Sequence, residues 1–251
     1  MIWNSFKIAF SMYSKIPMMK TEWTKENMKY SMCFLPLIGA VIGGIMILWS
    51  FISESLGVGT VLKSAVFVVI PVVITGGIHL DGFLDTVDAL NSFQPKEKKL
   101  EILKDPHTGA FAIIGAAVYF VLSFGVWSEI HGKAIFILAI GFILSRALSG
   151  LSIVTFKLAK NTGLAATFSD AAKKDKVKIT MVLYIIASFA AMVIIDLKLG
   201  TVGILAALAV FIYYKKMSTK NFGGITGDLA GFFLQTAEIT MAIAVLIASF
   251  L

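Results

Sequence analysis

A chain of 251 residues that is 58 % hydrophobic and 15 % charged, with a mean hydropathy of +0.88, holds more apolar surface than a soluble core can bury, since soluble domains are about half apolar and about a quarter charged. That excludes a soluble fold: roughly six to eight spans of about 20 residues would use most of the chain, which reads as one membrane-embedded domain over residues 1–251. The net charge of +7 reads as orientation and attraction to membrane lipid, not nucleic-acid binding, because basic and aromatic residues do not interleave, and the lone Cys33 excludes an internal disulfide.

Ile2, Phe6, Ala9, Tyr13 and Ile16 recur at helical spacing, with Lys7, Ser11, Ser14 and Lys15 on other faces. The pattern predicts an amphipathic helix within residues 1–17, lying on the membrane or packed across a bundle, and ended by Pro17. Apolar runs then predict spans near Met32–Ile52 and Val58–Thr75. Directly after them comes Gly76-Gly77-Ile78-His79-Leu80-Asp81-Gly82-Phe83-Leu84-Asp85-Thr86-Val87-Asp88. Positions i, i+4 and i+7 share one helical face, so Asp81, Asp85 and Asp88 point the same way. Crowded carboxylates repel one another unless a hard cation sits between them. Metal ligands are therefore the preferred reading over a solvated acidic edge, and His79, opposite Asp85 on an ideal helix, is a supporting residue.

Glu101 and Asp105 sit i, i+4 on a short helix with Lys104, stopped by Pro106. Spans near Ala110–Ser128 and Ala134–Phe156 follow, the second enclosing Arg146, which either snorkels to the headgroups or serves as a phosphate clamp or an ion-pair partner of the Asp81–Asp88 cluster. Further spans are expected near Ile179–Ile195, a short one at Thr201–Tyr214, and Leu229–Leu251. Between the last two, Gly223-Gly224-Ile225-Thr226-Gly227-Asp228 is a glycine-rich turn opening a helix, whose free N–H groups suit an anion. Gly231, Gln235 and Glu238 continue the face of Asp228, and a carboxylate inside a span is a functional candidate.

Four segments hold eighteen of the twenty-two Lys and Arg residues: the N-terminal stretch and the second-to-third, fourth-to-fifth and sixth-to-seventh connections. The intervening connections hold only Lys63, Lys133 and Lys198. Such alternation predicts an all-α, seven-span bundle with a cytoplasmic N-terminus, and it puts every motif above on the cytoplasmic side.

The Gly76–Asp88 run resembles the signature of the adenosylcobinamide-GDP ribazoletransferases, the integral-membrane cobalamin synthase family. Leu100–Gly109, Ser145-Arg146, Gly223–Asp228 and Phe34-Leu35-Pro36-Leu37-Ile38-Gly39 are similar to its other motifs, in order over nearly the whole chain. The chain departs from the family pattern at His107, Ala89 and Gln235, where arginine, glycine and glutamate are common. The resemblance implies that adenosylcobinamide-GDP is joined to α-ribazole or its 5′-phosphate, releasing GMP with Mg²⁺ assistance, at the cytoplasmic face of the cell membrane. Within that reading Asp81, Asp85 and Asp88 are metal ligands and Asp228 is a further ligand or general base. Glu101 and Asp105 are acid–base candidates. Arg146 is the preferred phosphate contact, with Lys104, Gly223, Gly224, Thr226 and Gly227, and His79 and Glu238 stand behind them. Homo-oligomer formation is left open.

Another membrane alcohol phosphotransferase is the rival within enzymes, but Ala89-Leu90-Asn91 follows Asp88 where that signature requires glycine and further aspartates. A secondary transporter would gather its polar groups near the midplane in related halves. With Cys33 replaced by Ser, cysteines at positions 63, 133 or 198 should react with an impermeant thiol reagent from outside the cell. Those at 98, 174 and 216 should react only after the membrane is opened; labelling of 98 and 133 from the same side would contradict the seven-span reading.

Overall fold

The computed structural model describes residues 1–251 as twelve α-helices and one 3₁₀ turn, with a single isolated β-bridge. Six helices are long and apolar enough to cross a membrane: α3 (Leu35–Ser55), α7 (Ala110–Glu129), α8 (Lys133–Thr155), α10 (Lys174–Ile195), α11 (Leu197–Phe222) and α12 (Gly227–Phe250). A seventh crossing arises if α4 (Thr60–Thr75) and α5 (Ile78–Asn91) count as one bent span. The all-α polytopic class read from the sequence therefore holds. The remaining helices are short: α1 (Ile2–Tyr13), α2 (Lys25–Met28), α6 (Lys96–Ile102) and α9 (Leu164–Ala171).

Helix α8 is the axis of the bundle and packs against α3, α10, α11 and α12. Its seam with α3 is set by Gly39 and Gly43, one turn apart: a Cβ at either would strike the α8 backbone at Phe142 or Ala139. Without a hydrophobic drive between helices in lipid, such close backbone approach is what holds spans together. Outside the core, Val61, Val69, Ile113, Val121, Leu183 and Leu205 are exposed, forming an apolar outer surface suited to lipid.

Two boundaries differ from the sequence reading. The sixth span is not short, because α11 runs on to Phe222. Tyr214, Met217, Ser218 and Phe222 stay buried while Lys215 and Lys216 face outward, so the lysines mark where the helix becomes amphipathic, not where it stops. Helix α1 ends at Tyr13, before Pro17, as Ser14 turns extended. Its Ser5, Ile8, Ala9 and Phe10 are buried, and Ser5 Oγ donates to the Asn27 carbonyl at 2.6 Å. The helix is thus packed on the protein along one face, with Ile2 and Trp3 left exposed.

The four basic segments gather at one end of the bundle. Lys15 N–H donates to the Ile74 carbonyl at 2.7 Å and Lys173 N–H to that of Lys29 at 3.0 Å. Lys99 Nζ donates to Asn221 Oδ1 at 3.0 Å, and Lys160 Nζ to the Leu100 carbonyl at 2.8 Å. At the opposite end Lys63 pairs with Glu54 at 2.9 Å and Lys133 with Asp196 at 3.5 Å.

Gly39→Ala should lower the thermal midpoint in detergent by an amount equivalent to about 1–3 kcal/mol, the cost of overpacking a tight seam. Gly44→Ala, whose added Cβ meets no atom within 4 Å, is the matched control and should be neutral or mildly stabilising.

Candidate active site

Helices α4 and α5 meet at 97°. The hinge is Gly76-Gly77, both left-handed at φ 65° and 79°, a conformation that costs glycine nothing and other residues a good deal. It turns the aspartate-bearing helix away from the α4 axis and lays it against the start of α12. There Gly82 has no side chain because the Asp228 backbone occupies that space, and Gly231 has none because of the His79 carbonyl. Phe83 stacks on Phe232 with centroids 5.7 Å apart. This contact adds the charge of Asp228 to those of Asp81 and Asp88 on the partly buried Asp85 carboxyl.

The glycine-rich turn is held by the one strand-like contact of the fold. Ile225 N–H donates to the Lys157 carbonyl and Ala159 N–H to that of Ile225, both at 2.9 Å. This ties the α8–α9 loop beside the start of α12, where Thr226 Oγ1 caps the helix by accepting from Leu229 N–H at 3.2 Å and donates to Asp228 Oδ2 at 3.3 Å.

A cleft of two lobes, each of about 280 Å³, opens at this junction, and Leu164, Ala165, Gly227 and Asp228 line both. One lobe is basic. Lys104, Lys160, Thr162, Gly163 and Thr226 line it, and the N-termini of α9 and α12 both begin there, adding the positive ends of two helices. Burial and the neighbouring Lys104 charge hold the Lys160 ammonium below its ordinary pKa, against the opposing pull of the Asp228 and Glu101 carboxylates, so two cations and the Asp228 carboxylate share this lobe. The other lobe is lined by Met12, Tyr13, Met32, His79, Asp81, Ser149 and Ile153 among others. In it His79 is 5 % exposed and its Nε2 has no hydrogen-bond partner.

Of the residues singled out in the sequence, Asp81, His79, Lys104, Thr226, Gly227 and Asp228 line the cleft. Others do not. The Asp88 carboxylate packs against Gly109 at the start of α7, filling the space a Cβ would need. Glu101 is exposed and paired with Lys98 at 2.8 Å. Asp105 accepts from His107 N–H at 2.9 Å, which together with the His107 ring lowers its pKa. Neither lines a lobe, because the turn at Pro106 leaves both at the surface. The N–H groups of Gly223 and Gly224 are spent on the Thr219 and Ser218 carbonyls at the C-terminus of α11, leaving no free donor for an anion.

Arg146 is the clearest correction. It is fully buried, and its Nη1 donates to Glu238 Oε1 at 2.6 Å, to the Phe142 carbonyl at 3.1 Å and to Ser145 Oγ at 3.2 Å. It neither snorkels nor reaches the cleft; the charge inside α8 is answered by the charge inside α12. Gln235, close by on α12, accepts from the Tyr119 hydroxyl. Conversely, Lys160, Thr162 and the Met12–Tyr13 wall were not picked out by sequence. Lys160 was one of six lysines in its connection, and only the pairing of the preceding Lys157 and Ala159 with Ile225 sets it apart.

No group of three or more His, Cys, Asp or Glu side chains is gathered closely enough to form a metal cage. The donor set still suits Mg²⁺, which needs only one or two carboxylates and completes its shell with water and substrate phosphates. Asp81 and Asp228 supply hard oxygens to the cleft, and Asp85, which lines neither lobe, lies within reach of their charges.

The chain matches the family model described as cobalamin-5-phosphate synthase over residues 5–246. It is 53 % identical to an adenosylcobinamide-GDP ribazoletransferase of Lachnoclostridium phytofermentans over 98 % of this chain and 94 % of that protein. The protein of the same name from Clostridium botulinum strain Alaska E43 is 36 % identical over 94 % of this chain and 95 % of its own length. The one from Treponema denticola is 33 % identical over 95 % of each. No solved structure matches the chain.

Breaking the Arg146–Glu238 pair from one side should be costly, since it leaves a buried charge unanswered. Glu238→Gln is expected to destabilise by about 3–5 kcal/mol, read as a lowered thermal midpoint in detergent. The double variant Arg146→Met, Glu238→Leu should recover most of that loss.

Proposed function

The chain belongs to the cobalamin-5-phosphate synthase family and is a transferase of cobalamin biosynthesis, joining adenosylcobinamide-GDP to a ribazole-type acceptor; we propose that the transfer occurs at Asp228, where the two lobes of the cleft meet, on the cytoplasmic side of the cell membrane. The observation that carries this reading is the charge pattern of the cleft. Two lysines and two helix N-termini face one lobe, Asp228 lines both lobes and Asp81 the other, and the charges of these two aspartates act on Asp85, which lines neither. A diphosphate accompanied by Mg²⁺ answers both sets of like charges at once. The side assignment rests on the four basic segments that meet at this end of the bundle.

In the reaction a hydroxyl of the acceptor ribose attacks the phosphorus that bears cobinamide, and the bond to GMP breaks. Such a displacement needs alignment and charge neutralisation more than covalent help from the protein. Lys104 and Lys160 bind the diphosphate oxygens and hold them against the N-termini of α9 and α12. Asp228, fixed by Thr226 Oγ1, accepts the proton of the attacking hydroxyl. Asp81 and Asp85 would hold Mg²⁺, which when bound neutralises phosphate charge. Arg146 has no part in these contacts.

Purified protein in nanodiscs, given adenosylcobinamide-GDP, α-ribazole and Mg²⁺, should release GMP and form a complete corrinoid. Asp85→Asn should reduce that rate on the order of a thousandfold, as loss of a charged ligand in phosphoryl transfer does. Its thermal midpoint without Mg²⁺ should hold or rise, because carboxylate repulsion is relieved. Near-normal GMP release by this variant would defeat the aspartate site. Lys160→Met should raise KM for adenosylcobinamide-GDP while leaving KM for α-ribazole in place.

A further inference from the structure

The second lobe holds a buried polar atom that phosphate chemistry leaves without a partner. His79 is 5 % exposed, lines the lobe, and its Nε2 makes no hydrogen bond. Buried polar groups are nearly always paired, and an exception asks for an absent partner. The wall around it is aromatic and held in place. Tyr13 stacks on the His79 ring with centroids 6.0 Å apart and 19° between planes, and packs on Phe168 at 5.6 Å. Its hydroxyl is turned to Met32 Sδ at 3.9 Å. Apart from the aspartates shared with the phosphate site, His79 and Ser149 are the polar side chains with Tyr13 in this lining.

We propose that this lobe receives the heteroaromatic base of the acceptor, with His79 Nε2 hydrogen-bonding the ring nitrogen not joined to ribose, and with Met12 and Tyr13 of α1 limiting the size of base admitted. The inference rests on the reading that the cleft transfers a phosphoryl group to a ribazole-type riboside. A volume of about 280 Å³ takes a base and its ribose but not a corrin macrocycle. Guanine carries polar groups along most of its edge, and beyond Asp81 and Asp228, which the phosphate reading uses, the lining offers it only Tyr13, His79 and Ser149. A benzimidazole offers one free ring nitrogen and an apolar body, which matches one imidazole among apolar and aromatic walls. A base seated here also directs its ribose towards Asp81 and Asp228, the side on which the hydroxyl must attack. Helix α1 then acts as a specificity wall besides being a surface element.

The test compares two acceptors in nanodisc-embedded protein: the α-riboside of benzimidazole and that of indole, which has the same shape but a C–H in place of the free nitrogen. The wild-type chain should prefer benzimidazole by about tenfold or more in kcat/KM, the effect of one hydrogen bond to a buried group. His79→Leu should erase that preference with KM for adenosylcobinamide-GDP unchanged, and His79→Gln should retain part of it. Persistence of the preference in His79→Leu overturns the proposal. So does a rise in KM for adenosylcobinamide-GDP alone, which would mean that guanine occupies the lobe. If His79→Leu does not fold, Tyr13→Ala decides: it should shift preference towards a naphthimidazole riboside, and an unshifted preference is again contrary. Absence of GMP release by the wild-type chain with every riboside would defeat the underlying transfer reading. GMP release with base preference unaltered by the variants would defeat this inference alone.

Discussion

Everything at the polar end depends on how closely α5 approaches α12. Gly82 on one helix and Gly231 on the other let the two backbones touch beside Asp228 and His79, a separation no side-chain-bearing pair could reach. That contact is possible because Gly76 and Gly77 bend the chain by 97° just before α5 begins. Lys15 locks the bend from outside, donating its N–H to the Ile74 carbonyl and laying its aliphatic stem across Gly76. The aspartates, the glycine-rich turn and the N-terminal helix are thus parts of one assembly, though they lie far apart in the chain.

The assembly stores like charges on opposite sides of one cleft. Asp85 is held among three other carboxylates, and Lys160 is held beside Lys104. Asp228 lies within reach of the Lys160 charge in the basic lobe, whereas Arg146 and Glu238 meet at hydrogen-bonding distance in the bundle core. The contrast separates two uses of charge in a membrane protein. A close pair in the core joins α8 to α12, whereas charges of both signs gathered at a cleft suit a ligand that carries both signs.

The residues that line the cleft explain why motif reading was uneven. Asp81 and Asp228 were legible because carboxylates at helical spacing beside apolar runs are costly unless used. Asp88 shares their helical face but bends away to Gly109, since a face seven residues long spans about 10 Å of helix and only its first part meets α12. Glu101 and Asp105 looked equally suggestive, yet local partners, Lys98 and the His107 backbone, absorb them. Gly223 and Gly224 serve the end of one helix rather than the mouth of a site. Lys160 and Tyr13 had no distinguishing pattern of their own.

By itself the sequence determined the class: apolar excess fixed a helical membrane bundle, the apolar runs located the spanning helices though not the C-terminal end of α11, and the split of lysines sorted the connections to one end, because transfer free energies and helical periodicity are local properties of the chain. Which polar residues share a site was decided only by tertiary structure. Pairing Arg146 with Glu238, turning α5 onto α12, bridging Leu158 to Ile225 and bringing Tyr13 over His79 join residues separated by 66 to 152 positions. Contacts of that range depend on packing geometry and on the small residues that allow it, which no local pattern of hydropathy or charge encodes.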